Sequence, residues 1–73
     1  MNPLQIKNQI ESHLDGVVAD VTGEDGVHFQ AIVTGPIFEG KSRVASQQLV
    51  YGAINHWIQS GQIHAISIKT KVA

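Results

Sequence analysis

A chain of 73 residues, 42% of them apolar and 15% charged, has room for one small core and therefore one domain. It holds no cysteine, which excludes disulfides and thiolate metal sites within the chain and leaves metal ligation to four histidines and six carboxylates. Five basic against six acidic residues, a net charge of −1, argue against a general binder of phosphate backbones but are compatible with a local basic patch. Nothing resembles a secretory signal and the apolar runs fall far short of a membrane span, so a cytoplasmic domain covering residues 1–73 is expected.

Asn2-Pro3 opens a helix signal: Asn as N-cap, Pro at the first helical position, and Gln5 three residues after the cap. Ile6, Ile10 and Leu14 recur every four residues and build one apolar stripe, while Gly16 suits a C-terminal stop. The first helix is expected over about residues 3–15. Val17 to Val21 is short and β-branched and predicts a strand; Gly23-Glu24-Asp25-Gly26 predicts a turn, and His28 to Thr34 a second strand, antiparallel to the first. Phe29, Ala31 and Val33 share one face of it, with Gln30, Ile32 and Thr34 on the other. Gly35-Pro36 ends that strand, and a loop runs to Ser42, which suits the N-cap of a second helix with Val50, Ile54, Trp57 and Ile58 on its core side. Gly52 within it costs about 1 kcal/mol relative to Ala. Ser60-Gly61 stops this helix, and Ile63 to Thr70 predicts the last strand. The order is αββαβ. The stretch from the second strand through the second helix to the third has the length of a right-handed crossover, so those two strands are parallel if they are neighbours. Their starts then share one edge of the sheet and their ends the other.

Two motif matches point to chemistry that this arrangement does not support. Gly35-Pro36-Ile37-Phe38-Glu39-Gly40-Lys41-Ser42 fits the G-x-x-x-x-G-K-S pattern of a P-loop, with Val17-Val18-Ala19-Asp20 as an apparent acidic strand. A phosphate cradle, however, needs inward backbone N–H groups, which Pro36 lacks, and Glu39 repels phosphate. The acidic strand is also expected in a hairpin, whereas nucleotide-binding sheets set the two strands in parallel, and 73 residues leave no room for the remaining strands. Gly23-Glu24-Asp25-Gly26 fits the GXXG of KH domains, but it joins two strands instead of two helices and carries two acids.

The charged and ring-bearing residues are more informative. His13 sits at the end of the first helix, where partial positive charge suits the helix dipole, and His56 lies beside Trp57 on a solvated face. His28 and His64 each stand at the start of a strand. If those strands are adjacent and parallel, the starts lie about 5 Å apart, and two imidazoles at one exposed edge can share a metal ion. The alternative is one packed and one solvated histidine. At the opposite edge, Lys41 and Arg43 begin the second helix while Lys69 and Lys71 end the third strand. Such a basic group either holds a phosphate or a nucleic-acid backbone, or forms an ordinary solvated rim. No nucleophile elbow, HExxH helix or paired-carboxylate cleft is present.

The ordered set His28-Phe29-Gln30-Ala31-Ile32-Val33, Phe38-Glu39-Gly40-Lys41-Ser42-Arg43-Val44, Gln47-Gln48-Leu49-Val50-Tyr51-Gly52 and Ile63-His64-Ala65-Ile66-Ser67-Ile68-Lys69 resembles the BolA family, most of all its short bacterial IbaG type. The likeness runs from about residue 4 to residue 70, and it accounts for the P-loop match, because F-x-G is the family's own loop. It implies an α/β (α+β) fold of the type II KH-like kind, a three-stranded mixed sheet with helices on one face, and no enzymatic activity. It further implies pairing with a monothiol glutaredoxin and a shared, glutathione-ligated [2Fe–2S] cluster. The family's near-invariant C-terminal histidine corresponds to His64, which the resemblance makes an iron ligand. The second ligand in the family is a cysteine or histidine of the hairpin loop. Here Thr22 to Val27 contains neither, so His28 is the nearest substitute and Asp25 a poorer one. Histidine in place of thiolate on one iron raises the reduction potential, and since only neutral imidazole ligates, cluster retention is expected to weaken in acid. Gln47 and Gln48 stand where other BolA proteins carry arginine and histidine, which weakens the alternative of a DNA-binding regulator working through Lys41, Arg43, Lys69 and Lys71. The sequence ends at Ala73, short of the family's usual C-terminal tail.

Overall fold

The computed structural model describes every residue except Glu24 and Val27, so part of the expected Gly23–Gly26 turn lies outside the described residues. The elements run α1 (Pro3–His13), β1 (Val18–Thr22), β2 (His28–Thr34), a 3-10 turn (Pro36–Phe38), α2 (Arg43–Gln59) and β3 (Ala65–Lys71). The expected αββαβ order is the observed one.

The start of α1 follows from its first four residues. The Asn2 side chain accepts from the Gln5 amide and the Gln5 side chain accepts from the Asn2 amide, both at 2.9 Å, which closes a reciprocal cap over the first turn. The helix ends at His13, two residues earlier than its periodicity predicts. Leu14 turns to extended backbone, drops its side chain into the core at 5% exposure, and Gly16 reverses the chain at φ +73°. Burying Leu14 outweighs another half-turn of helix. His13 is exposed in the last turn, as a cap should be.

β2 is central in the sheet order β1-β2-β3. It pairs antiparallel with β1, from Val18 opposite Thr34 to Thr22 opposite Gln30. With β3 it pairs in parallel, from His28 opposite Ala65 to Thr34 opposite Lys71. The antiparallel β1–β2 pair removes the P-loop alternative, since it puts the apparent acidic strand in a hairpin. Phe29, Ala31 and Val33 are buried on the expected face of β2, joined by Ala19 and Ile68 of the flanking strands. Onto this face pack Ile6 and Ile10 of α1 and Val50, Ala53 and Ile54 of α2. Trp57 and Ile58 are half-buried at the margin of the cluster, and Ser46 and Ala53 occupy the stripe nearer its centre.

Gly35 lets the end of β2 pass close to the turn after α1. A Cβ there would meet Val17 Cγ1 at 2.9 Å and the Gly16 carbonyl at 3.2 Å. Its amide donates to the Lys71 carbonyl at 2.9 Å and extends the parallel ladder by one bond. Ser42 caps α2 through Oγ, accepting from the Ala45 amide at 3.1 Å. Among the described residues no helix is long and apolar enough to cross a membrane.

Side chains of the helices cover backbone groups of both edge strands. On β1, the Ala19 amide donates to Glu11 at 2.9 Å and the Ala19 carbonyl accepts from Lys7 at 3.0 Å. On β3, Gln47 donates to the Ile68 carbonyl at 2.9 Å. An edge so occupied is a poor template for a further strand. The Lys7 ammonium and then the Ala19 amide hold the Glu11 carboxyl below its ordinary value of 4.5, while burial opposes them. Glu11 therefore stabilises the fold fully above the ordinary glutamate range, and the contribution is lost as pH falls through the lowered value. Glu11→Ala is expected to cost about 1 kcal/mol, or about 4–8 °C in Tm, at neutral pH. Thermal melts of both proteins should differ by that amount at neutral pH and converge in strong acid.

Candidate functional site

The parallel crossover brings the two predicted histidines together. His28 is the first residue of β2, and His64 lies immediately before β3, since His28 is paired with Ala65. The expectation that His64 lies within the strand is thus corrected by one residue. The cause is Ile63, which is buried at 1% exposure and donates its amide to the Trp57 carbonyl at 3.0 Å. That bond holds the chain to the end of α2 until His64 is past. Both histidines are exposed, and their rings stand edge to face, with centroids 5.4 Å apart and planes at 81°. The alternative of one packed and one solvated ring does not describe them.

This spacing suits two imidazoles on one ion. With a metal–nitrogen bond of about 2.1 Å, a ring centre about 1.1 Å beyond the nitrogen and a tetrahedral angle, the two centroids fall about 5 Å apart. The donor set also sets a limit. The chain has no thiolate, and among the described residues no group of three or more His, Cys, Asp or Glu is gathered for one ion. Among the described residues this rim brings together two imidazoles.

Asp25 has a different place from the one the sequence suggests. Its Oδ1 accepts the His28 amide at 2.8 Å, and its Oδ2 meets His28 Nδ1 at 2.5 Å. It is a hydrogen-bond partner of His28, through both its amide and its ring. The signal was local: an Asp three residues before the first residue of a strand can bond that residue's amide. Beside the rim, Thr22, Gly23, Phe29, Gln30 and Ile66 help to line an open cavity of about 530 Å³. Gly23 is required here, because a Cβ would collide with the Phe29 ring and lie 2.8 Å from the His28 carbonyl.

The far end of the sheet gathers the predicted cations. Lys41, Arg43, Lys69 and Lys71 all line one groove of about 580 Å³, with Phe38 and Gln47. Lys41 is partly committed, donating to the Ile37 carbonyl at 2.8 Å. His56 is exposed in the last turn of α2, its ring against Trp57 at a centroid distance of 4.7 Å.

The family model described as BolA-like protein matches residues 1–73. The acid stress protein IbaG of Escherichia coli K12 is 44% identical over 69 residues, which cover 94% of this chain and 69% of that protein. A BolA protein homologue from Coxiella burnetii superposes with a TM-score of 0.87 at 38% identity, covering 99% of this chain and 91% of that one. The BolA domain of SufE1 from Arabidopsis thaliana gives a TM-score of 0.79 at 29% identity, with 96% and 90% of the two chains covered. By sequence along its whole length and by fold, this chain belongs to the BolA family, with IbaG-type relatives.

Proposed function

We propose that this chain is a non-enzymatic partner of a monothiol glutaredoxin, with which it shares a glutathione-ligated [2Fe–2S] cluster in iron–sulfur trafficking and iron homeostasis. The observation that supports this most is the pair of exposed rings, His28 and His64, 5.4 Å apart at one rim of a chain without thiolates. Two imidazole nitrogens from this chain, one cysteine of the glutaredoxin and one glutathione make up four ligands, with nitrogen and sulfur on different irons. When bound, the cluster supplies one-electron chemistry and is itself the cargo. The chain's own residues hold the rings in place: Ile63 and its bond to Trp57 fix the approach to His64, and Asp25 holds His28. Since the rings are exposed, a partner reaches them without disturbing the core. Protonation takes imidazole out of ligation, which gives this reading an acid-sensitive step and agrees with the acid-stress name of the E. coli relative.

Anaerobic co-purification with a monothiol glutaredoxin, followed by iron and sulfide analysis, tests the proposal. The expected product is a complex holding iron and acid-labile sulfide in equal amounts. A complex free of both would leave an adaptor that ligates no cluster, and absence of a complex would overturn the partnership. A second reading, a DNA-binding regulator of transcription, is favoured by the convergence of Lys41, Arg43, Lys69 and Lys71 on one groove. It requires affinity that falls steeply with salt and with loss of those charges; binding indifferent to both discards it.

A further inference from the structure

We propose that Asp25 is a positioning residue for His28: its carboxylate accepts hydrogen bonds from Nδ1–H and from the first amide of β2, leaving Nε2 as the nitrogen that meets a metal ion at the rim shared with His64. This rests on the two-histidine reading above and says how one of its ligands is made ready. An ionised carboxylate can only accept hydrogen bonds, so a ring nitrogen 2.5 Å from Asp25 Oδ2 must be the one that carries the proton. The neutral ring then has its lone pair at Nε2 and no other choice. A carboxylate behind a metal-bound imidazole is the arrangement that fixes tautomer and ring orientation and raises ligand basicity.

Two features separate this from a merely structural contact. The pair is exposed, with 57% of the His28 and 51% of the Asp25 side chain accessible, so it contributes little to stability. The two contacts are also made by different atoms, one carboxylate oxygen holding the strand's first amide and the other meeting the ring.

Asp25→Asn is the informative substitution. Its amide oxygen can keep the bond to the His28 amide, but its NH₂ then faces Nδ1 and donates, which drives the ring to the opposite tautomer. Ring ¹⁵N resonances of the unliganded protein read the tautomer directly, and a Zn²⁺ titration followed at each histidine's own resonances reads affinity at this rim apart from His13 and His56. The unsubstituted protein is expected to hold His28 as Nδ1–H, with His28 and His64 shifting together on Zn²⁺. Asp25→Asn is expected to move the proton to Nε2 and weaken Zn²⁺ binding about 10–100-fold. If Asp25→Asn keeps both tautomer and affinity while His28→Ala loses affinity, the positioning role is wrong and the two-histidine site stands. If the unsubstituted protein shows no Zn²⁺ binding at His28 and His64, or if His28→Ala binds Zn²⁺ at this rim as tightly as the unsubstituted protein, the site itself fails and the inference with it. Should Asp25→Asn be unfolded, Asp25→Ala gives the same readout, with loss of the Nδ1–H preference as the expected result and its persistence as the contrary one.

Discussion

His64→Ala should abolish the mixed-ligand absorption of the anaerobic complex with a monothiol glutaredoxin while leaving this chain folded. In the proposed complex the substitution removes one of only two ligands that the chain can give, and no cysteine exists here to replace it. The fold has little at stake. The His64 side chain is exposed, and its ring contact is with His28, itself exposed. The neighbouring anchor, Ile63, keeps both its burial and its backbone bond to Trp57 in the variant. Surface changes of this kind stay within about 0.5 kcal/mol. Circular dichroism and melting temperature should therefore match the unsubstituted protein, and the visible spectrum should not. An unchanged spectrum would refute the assignment of His64 as a ligand.

The second large effect concerns the core that holds the rim in register. Ile54 is fully buried, in a cluster with Ala53 and Val50 of α2, Ile6 and Ile10 of α1, and Ala31 and Val33 of β2. Ile54→Ala removes three carbons from a close-packed site and leaves a void, at a cost of about 3 kcal/mol. For a domain of this size the whole stability is on the order of 4–11 kcal/mol, so this is a large share of it. The expected fall in Tm is about 12–24 °C. Val44→Ala on the same helix, 63% exposed, is the comparison and should move Tm by no more than a few degrees. Equal shifts for the two substitutions would contradict the packing described.

What the sequence discloses and what it hides divide along physical lines. The capping box at Asn2, the alternation in His28–Thr34 and the Ser42 cap are short-range patterns, and each was legible to the residue. The juxtaposition of His28 and His64 was also legible, though 36 positions separate them, because a crossover of that length makes the two strands parallel if they are neighbours, as they are. Convergence of Lys41, Arg43, Lys69 and Lys71 followed from the same geometry. Hidden were the bonds whose partners are distant in sequence and joined by flexible side chains: Glu11 and Lys7 to Ala19, and Gln47 to Ile68. No periodicity encodes them. The departure of Gln47 and Gln48 from the family pattern was visible, but the use of Gln47 to cover an edge carbonyl was not. The end of α1 and the start of β3 were misplaced where burial of a single side chain decided the matter, Leu14 after α1 and Ile63 before β3.

In the proposed complex this chain gives two imidazole nitrogens to one iron of a shared cluster. Pulsed electron paramagnetic resonance on the reduced complex, with only this chain labelled with ¹⁵N, measures it most directly. Strong couplings are expected to two ¹⁵N nuclei of this chain, and this two-nitrogen signal is expected to be lost in His64→Ala. A cluster signal with no strong coupling to any labelled nitrogen would contradict it.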